Sequence, residues 1–254
     1  MNVKQFLKIA AVFLGLFFVA GIAIGASLPT GKLLNQGDFT YLGSFKLPSD
    51  TLGTQYGFAY GGSGGTGTYA VTFHPANNSL FIGGHPYEQR VAEIKIPSAL
   101  TGTPTAAALT QLVDPVEGKL GQINPSDPNR KVLGLAMIHN GKLILGGYSY
   151  YDGAGTQNRS EFSRPLNLNT KGQVVGPVRV GNQYPGWVNK YGTRIPAEWQ
   201  EALGGPAIVG GSGGAINSLQ SWGPSASVMN PGDIGSKDPV PATLLLGYPL
   251  ANPL

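Results

Sequence analysis

The chain has 254 residues, with 17 Lys and Arg against 13 Asp and Glu, a formal net charge of +4, and no cysteine. The missing cysteine excludes a disulfide framework, a lipid-bearing N-terminal cysteine and any thiolate metal ligand or nucleophile. Charged residues make up only 12% of the chain, and no basic cluster exceeds the pair Arg130-Lys131, so the gathered basic face of a nucleic-acid binder is absent and no such partner is expected.

The first element is a leader. Lys4 and Lys8 give a short positive start without an acid, and Ile9 to Ile24 then runs uncharged as IAAVFLGLFFVAGIAI. A helix needs roughly 20 apolar residues to cross a bilayer, whereas a signal-peptide core uses about 7–15. The small residues Ala23, Gly25, Ala26 and Ser27 suit cleavage, and Leu28-Pro29-Thr30-Gly31 stops the helix. Residues 1–26 are therefore expected to be a signal peptide, with residues 27–254 forming one secreted or periplasmic domain. The alternative is an uncleaved anchor, with the domain facing outward and touching the membrane only through residues 1–26. Without the leader the balance falls to 15 basic against 13 acidic side chains.

The remaining chain reads as all-β. Its 39 Gly and 20 Pro accompany 41% apolar residues in short alternating runs, the pattern of many strands joined by tight turns. Thr68 to Ile96 and Lys131 to Leu168 share a unit of strand, turn and strand, ending in Gly83-Gly84 or Gly146-Gly147. The turns are Asn77-Asn78 and Asn140-Gly141, and Asn-Gly between apolar runs is a strong hairpin signal because both central residues of a type I′ turn need positive φ. A weaker third set spans Ala215 to Ser221, Ala226 to Met229 and Thr243 to Tyr248. One short helix is expected near 196–203, where Pro196 precedes AEWQEAL and Gly204-Gly205 closes it. Repeated antiparallel units of three or four strands predict β-propeller-like blades, with a β-sandwich as the alternative. The strands suffice for about three blades, whereas closed propellers have about four to eight. The expectation is thus an incomplete ring, either C-terminally truncated or closed by association.

Particular stretches resemble a family. Tyr41-Leu42-Gly43-Ser44-Phe45-Lys46-Leu47-Pro48, Phe73-His74-Pro75, Ser79 to His85 and Val91-Ala92-Glu93-Ile94 resemble secreted bacterial proteins of a β-propeller-like family without an assigned activity. Ile195-Pro196-Ala197-Glu198-Trp199 and Ser221-Trp222-Gly223-Pro224 are similar to it as well. The resemblance implies a fold and carries no catalytic residues across.

Chemistry-bearing patterns are few. The histidines His74, His85 and His139 lie at turns or strand ends, and Gly210-Gly211-Ser212-Gly213-Gly214 lacks the strand–turn–helix setting of a nucleophile elbow. Asp152 to Glu161 fails the calcium-loop pattern at Ala154 and Thr156, so no metal site is assigned and no cofactor is expected. Gly61 to Gly67 lacks the lysine and the helix of a phosphate-binding loop. Glu93 alternates with Ile94 and Ile96 and reads as the outward face of a strand. Aromatic residues instead gather near the loops, and sugar rings stack on such faces while amides and carboxylates bond their hydroxyls. The candidate ligand-binding set is His85, Tyr151, Asp152, Trp187, Tyr191 and Trp222, with no catalytic residue named. The sequence favours an exported binding or scaffold module whose partner is a carbohydrate or another protein. Its rival is a carbohydrate-active hydrolase or lyase built on two converging carboxylates.

Overall fold

The structure, a computed structural model, describes residues 34–58, 70–211 and 224–247. The leader, the glycine run 61–67, the expected strand at 215–221 and Trp222 lie outside the described residues. Three four-stranded antiparallel sheets follow one another along the chain, and the described residues form no closed ring. The first sheet is β1 (Val71–His74), β2 (Ser79–Gly83), β3 (Val91–Lys95) and β4 (Ala107–Ala108), paired in that order. The middle sheet is β5 (Lys131–His139), β6 (Lys142–Ser149), β7 (Glu161–Pro165) and β8 (Val175–Val178). The third is β9 (Tyr191–Arg194), β10 (Ala207–Gly211), β11 (Ser225–Met229) and β12 (Ala242–Leu246). The single α-helix among the described residues, α1 (Ala197–Leu203), sits where the sequence placed it and ends on Gly204 in the left-handed region, φ 86°.

The turns follow the residues that permit them. Asn140 and Gly141 both take positive φ, 46° and 71°, which closes the β5–β6 hairpin. Asn78 takes φ 46° after a 3-10 turn at Pro75–Asn77 and starts β2. One expectation fails: Gly210 and Gly211 belong to strand β10 rather than to a loop. A Cβ on Gly210 would collide with the Ser225 carbonyl and the Tyr191 ring, so glycine there is a packing requirement.

Alternation along each strand assigns its faces. In β2, Phe81 points toward the middle sheet, while Leu80 and Ile82 pack with Leu52, Phe58, Ile94 and Leu112 on the opposite side. In the middle sheet, Leu133, Leu143, Leu145 and Phe162 meet Phe81 and Val91 of the first sheet. Leu135, Met137 and Ile144 meet Val209, Ala207 and Met229 of the third. Leu133 and Leu135 would share a face in a regular strand. Gly134 is a bulge, with Leu133 opposite Gly147 and Leu135 opposite Gly146, and the extra residue sends the two leucines to opposite sides. The middle sheet therefore owns two cores, and burying each Leu or Phe there stabilises by about 1.5–3 kcal/mol. The first strands also touch in series, β1 beside β5 and β5 beside β9.

Polar groups inside these junctions are compensated to different degrees. Arg164, 1% exposed, donates to the carbonyls of Pro115, Asn167, Leu168 and Thr170, tying β7 to the neighbouring loops. Glu93 overturns its expected outward position: it is buried, and its carboxylate accepts from Ser79, Asn77 and His74 at 2.5, 3.0 and 2.9 Å. Those donors remove the penalty that would otherwise keep it in water. Glu161 is fully buried and has only Ser160 as a partner, with its Oε1 unpaired. Burial holds its carboxyl well above the usual carboxylate range.

Two outcomes follow from this packing. A Cβ at position 146 would lie 2.8 Å from the Asn189 carbonyl oxygen and 2.9 Å from Leu135 Cβ, so Gly146→Ala should lose about 1–3 kcal/mol of stability. Gly121→Ala, with open space around it, should change little in the same urea titration. Glu161 has a folded pKa above its unfolded value of about 4.3, so its contribution is whole below that pH and is lost as pH rises through the folded value. Glu161→Gln should therefore gain in melting temperature relative to wild type between pH 4 and pH 8. A difference that does not change with pH would show that the Glu161 carboxyl has the same affinity for its proton folded and unfolded, which would overturn the raised pKa.

Candidate functional site

The loops after the second strand of a sheet and before the first strand of the next meet at one end of the structure. Residues 84–90, after β2, are pinned there by backbone bonds from Gly84 to Arg90 O and from His85 to Gly57 O. Gln89, in the left-handed region at φ 51°, fixes the loop twice: its amide donates to Pro86 O, and its Oε1 accepts from Leu133 N of the middle sheet at 2.6 Å. This tether brings Tyr87 to Arg130, the residue before β5. Arg130 is in turn joined to Tyr150, just after β6, by a bond from Tyr150 N to Arg130 O at 2.8 Å.

The result is an aromatic rim with a cation in it. The Arg130 guanidinium lies 4.8 Å from the Tyr150 ring centre and 5.3 Å from that of Tyr87. Tyr56 lies 4.3 Å from His85, and His85 lies 4.9 Å from Tyr87. Tyr87 is 66% exposed, and Tyr56, Tyr150, Tyr151 and Tyr191 are exposed as well. At the next junction Lys190 Nζ sits 5.0 Å from the buried Tyr148 ring, and burial pushes its pKa down to about 8.

The sequence-derived candidates take distinct positions on this end. His85 is buried beneath Tyr56 and Tyr87, and its Nδ1 accepts from Tyr87 N at 3.2 Å, so it supports the rim rather than reaching solvent. Asp152 accepts from Thr156 N, Thr156 Oγ1, Gln157 N and the Tyr184 hydroxyl at 2.9, 3.1, 2.8 and 2.5 Å. Tyr184 meets Trp187 edge-on at 6.4 Å, so Asp152 and Trp187 are joined through it. Tyr151 and Asp152 line an open depression of about 550 Å³ with Asp127, Pro128, Asn129 and Thr156. Tyr191, at the start of β9, donates to the Ser225 carbonyl, and burial raises its pKa. Trp222 lies outside the described residues. Arg130 and Tyr87 were not among the candidates: their ring contacts join residues 43 and 20 positions apart, and no local pattern marks them.

The acids Asp127, Asp152, Glu93 and Glu161 and the histidine His74 are held by fixed partners. Hydrogen bonds from Tyr184 and the 156–157 segment outweigh burial and hold Asp152 below its usual pKa. Asp127 is held low by Asn129 and by Lys131, whose Nζ is 3.1 Å away. Glu161, the carboxyl with a strongly raised pKa, is sealed from solvent and cannot protonate a leaving group. The trio Ser79, Glu93 and His74 has its acid in the middle, with serine and histidine both bonded to Glu93 Oε1, so the imidazole does not activate the hydroxyl through this arrangement. No group of three metal-ligating side chains occurs among the described residues. In comparison with known proteins, the chain matches no family model, no curated protein and no solved structure.

Proposed function

We propose that the chain is an exported, extracytoplasmic binding module of β-propeller-like architecture that uses its aromatic rim to hold a carbohydrate. The observation that carries this reading is the set of exposed tyrosines at one end of the three sheets, Tyr56, Tyr87, Tyr150 and Tyr151 on loops and Tyr191 at the start of β9. Leaving so much ring surface in water costs free energy unless a partner covers it. The rings stand on tethered loops, so their orientation is set before a ligand arrives and little ordering entropy opposes binding. Asn129, in the depression beside Tyr151, donates its amide N–H groups to Asp127 and to the Tyr151 carbonyl, which fixes its Oδ1 as an acceptor for a sugar hydroxyl.

The propeller reading rests on three consecutive four-stranded meanders whose first strands lie side by side. The export reading rests on residues 1–26 alone. The hydrolase reading has weaker support, because fixed hydrogen bonds hold both acids lining the open depression low in pKa, and Glu161, whose pKa burial raises, is sealed from solvent.

Two measurements test this. The mass of the product recovered from the medium or periplasm should correspond to a chain starting near Ala26 or Ser27, and a full-length product confined to the cytoplasm would end the export reading. On an array of neutral and acidic oligosaccharides the folded chain should bind a subset. Tyr87→Ala and Tyr150→Ala should each weaken that binding by about tenfold, the loss of one ring contact of about 1.4 kcal/mol. Unchanged binding in the double variant would move the site elsewhere.

A further inference from the structure

The rim contains a charge that the protein does not use. Most other cations at this end and in the junctions are committed. Lys131 pairs with Asp127, Arg159 with Asp238, Lys119 donates to Val174 O, and Arg164 is surrounded by carbonyls. The acids near the rim are equally committed. Glu88 accepts from the backbone N–H groups of Gln55 and Tyr56 at 2.8 and 3.4 Å, Asp127 accepts from Asn129 and Lys131, and Asp152 accepts from Tyr184 and its own loop. Among the described residues no carboxylate pairs with the Arg130 guanidinium. It is half-buried, and its two flat contacts are the rings of Tyr87 and Tyr150.

We infer that Tyr87, Arg130 and Tyr150 form a subsite for an anionic sugar, one whose pyranose ring carries a carboxylate, as in a uronic acid. The inference rests on the carbohydrate-binding reading and specifies its ligand. The two tyrosines come from the loops of different sheets and both place a ring face against the guanidinium, so the fork is positioned without a protein acid to anchor it. A guanidinium stacked on rings keeps the N–H groups at its edge free to donate in plane, and a carboxylate is the acceptor that matches this fork with two parallel bonds. The exposed face of Tyr87 beside it offers a stacking surface for the sugar's C–H face. A neutral sugar would leave the fork's charge unanswered. A nucleic acid would need several such cations in a row, and the rim holds this one between two rings. The nearest charged neighbours, Glu88 and the Asp127–Lys131 pair, are held by partners and do not compete for the fork.

The test uses the folded full chain and two probes that differ only in charge, a tetramer of galacturonic acid and its methyl ester, by titration calorimetry at low and physiological salt. Wild type should prefer the acid over the ester by about tenfold or more at low salt, and the preference should shrink as salt rises. Arg130→Gln should lose the preference while keeping ester affinity within about twofold, and Arg130→Lys should recover only part of it, since a lysine carries the charge without the fork. Melting curves confirm that each variant is folded before it is scored. Equal affinity of wild type for acid and ester overturns the anionic-sugar inference and leaves the carbohydrate reading standing. A preference that survives Arg130→Gln removes Arg130 from the site. Failure of wild type to bind either probe, or any sugar on the array, sinks both readings together.

Discussion

The approach of Asn189 to the middle sheet is the contact on which the rest of the arrangement depends. Its side-chain amide donates to the carbonyls of Gly147 and Pro185 at 2.6 and 2.9 Å, and its own backbone oxygen lies where a Cβ of Gly134 or Gly146 would be. Two glycines, Gly134 of β5 and Gly146 of β6, thus open a slot that one buried asparagine fills, and the chain entering β9 is held against the end of the middle sheet. A sheet with side chains at those positions could not come so close. Because Lys190 and Tyr191 follow directly, the same contact places the Lys190 ammonium over Tyr148 and starts β9 in register with Gly210. The packing of the core and the construction of the rim share one set of backbone atoms.

The glycine pairs at 83–84 and 146–147 read in the sequence as strand ends; Gly83 does end β2, whereas β6 runs on through Gly146-Gly147 to Ser149, and the purpose of neither pair was legible. Gly84 makes room for Leu112 and the Gly57 carbonyl, and Gly147 makes room for Leu120 and Ile123. The hairpin at Asn140-Gly141 was readable because its signal is local: two adjacent residues accept positive φ. Strands such as Val175–Val178 and Tyr191–Arg194 were not, since Val-Gly-Pro-Val and Tyr-Gly-Thr-Arg show no apolar alternation and are made strands by their neighbours. β10 was hidden for a related reason. Its closing glycines look like a loop, and only the Tyr191 ring and Ser225 crowding Gly210 explain them.

The site divides in the same way. Aromatic richness near the loops could be read from composition, and Tyr151, Asp152, Trp187 and Tyr191 do lie at one end of the sheets. What composition does not carry is commitment. Glu93 reads as a solvent-facing acid until Ser79 and His74 are found on it, and Arg130 reads as half of a basic pair until Lys131 is found turned to Asp127 and Arg130 turned to two rings. Lys131 opens β5 and Arg130 lies just before it, and the two side chains go to different partners, so the pair in sequence is not a pair in space.

A binding surface and a catalytic centre make opposite demands on buried charge. Catalysis by carboxylates needs one acid whose proton is held loosely enough to transfer and an open path to a substrate. Here the groups that reach the open depression are stabilised in their charged form by fixed donors, which lowers their value as acids and raises their value as rigid acceptors. Glu161, the carboxyl whose pKa burial raises furthest, is closed off from solvent. Fixed acceptors, fixed rings and one oriented guanidinium are suited to recognising a shape and a charge, and none of them has to change protonation state for a ligand to dock. That economy is the reason recognition, and not turnover, is the function proposed for this end of the molecule.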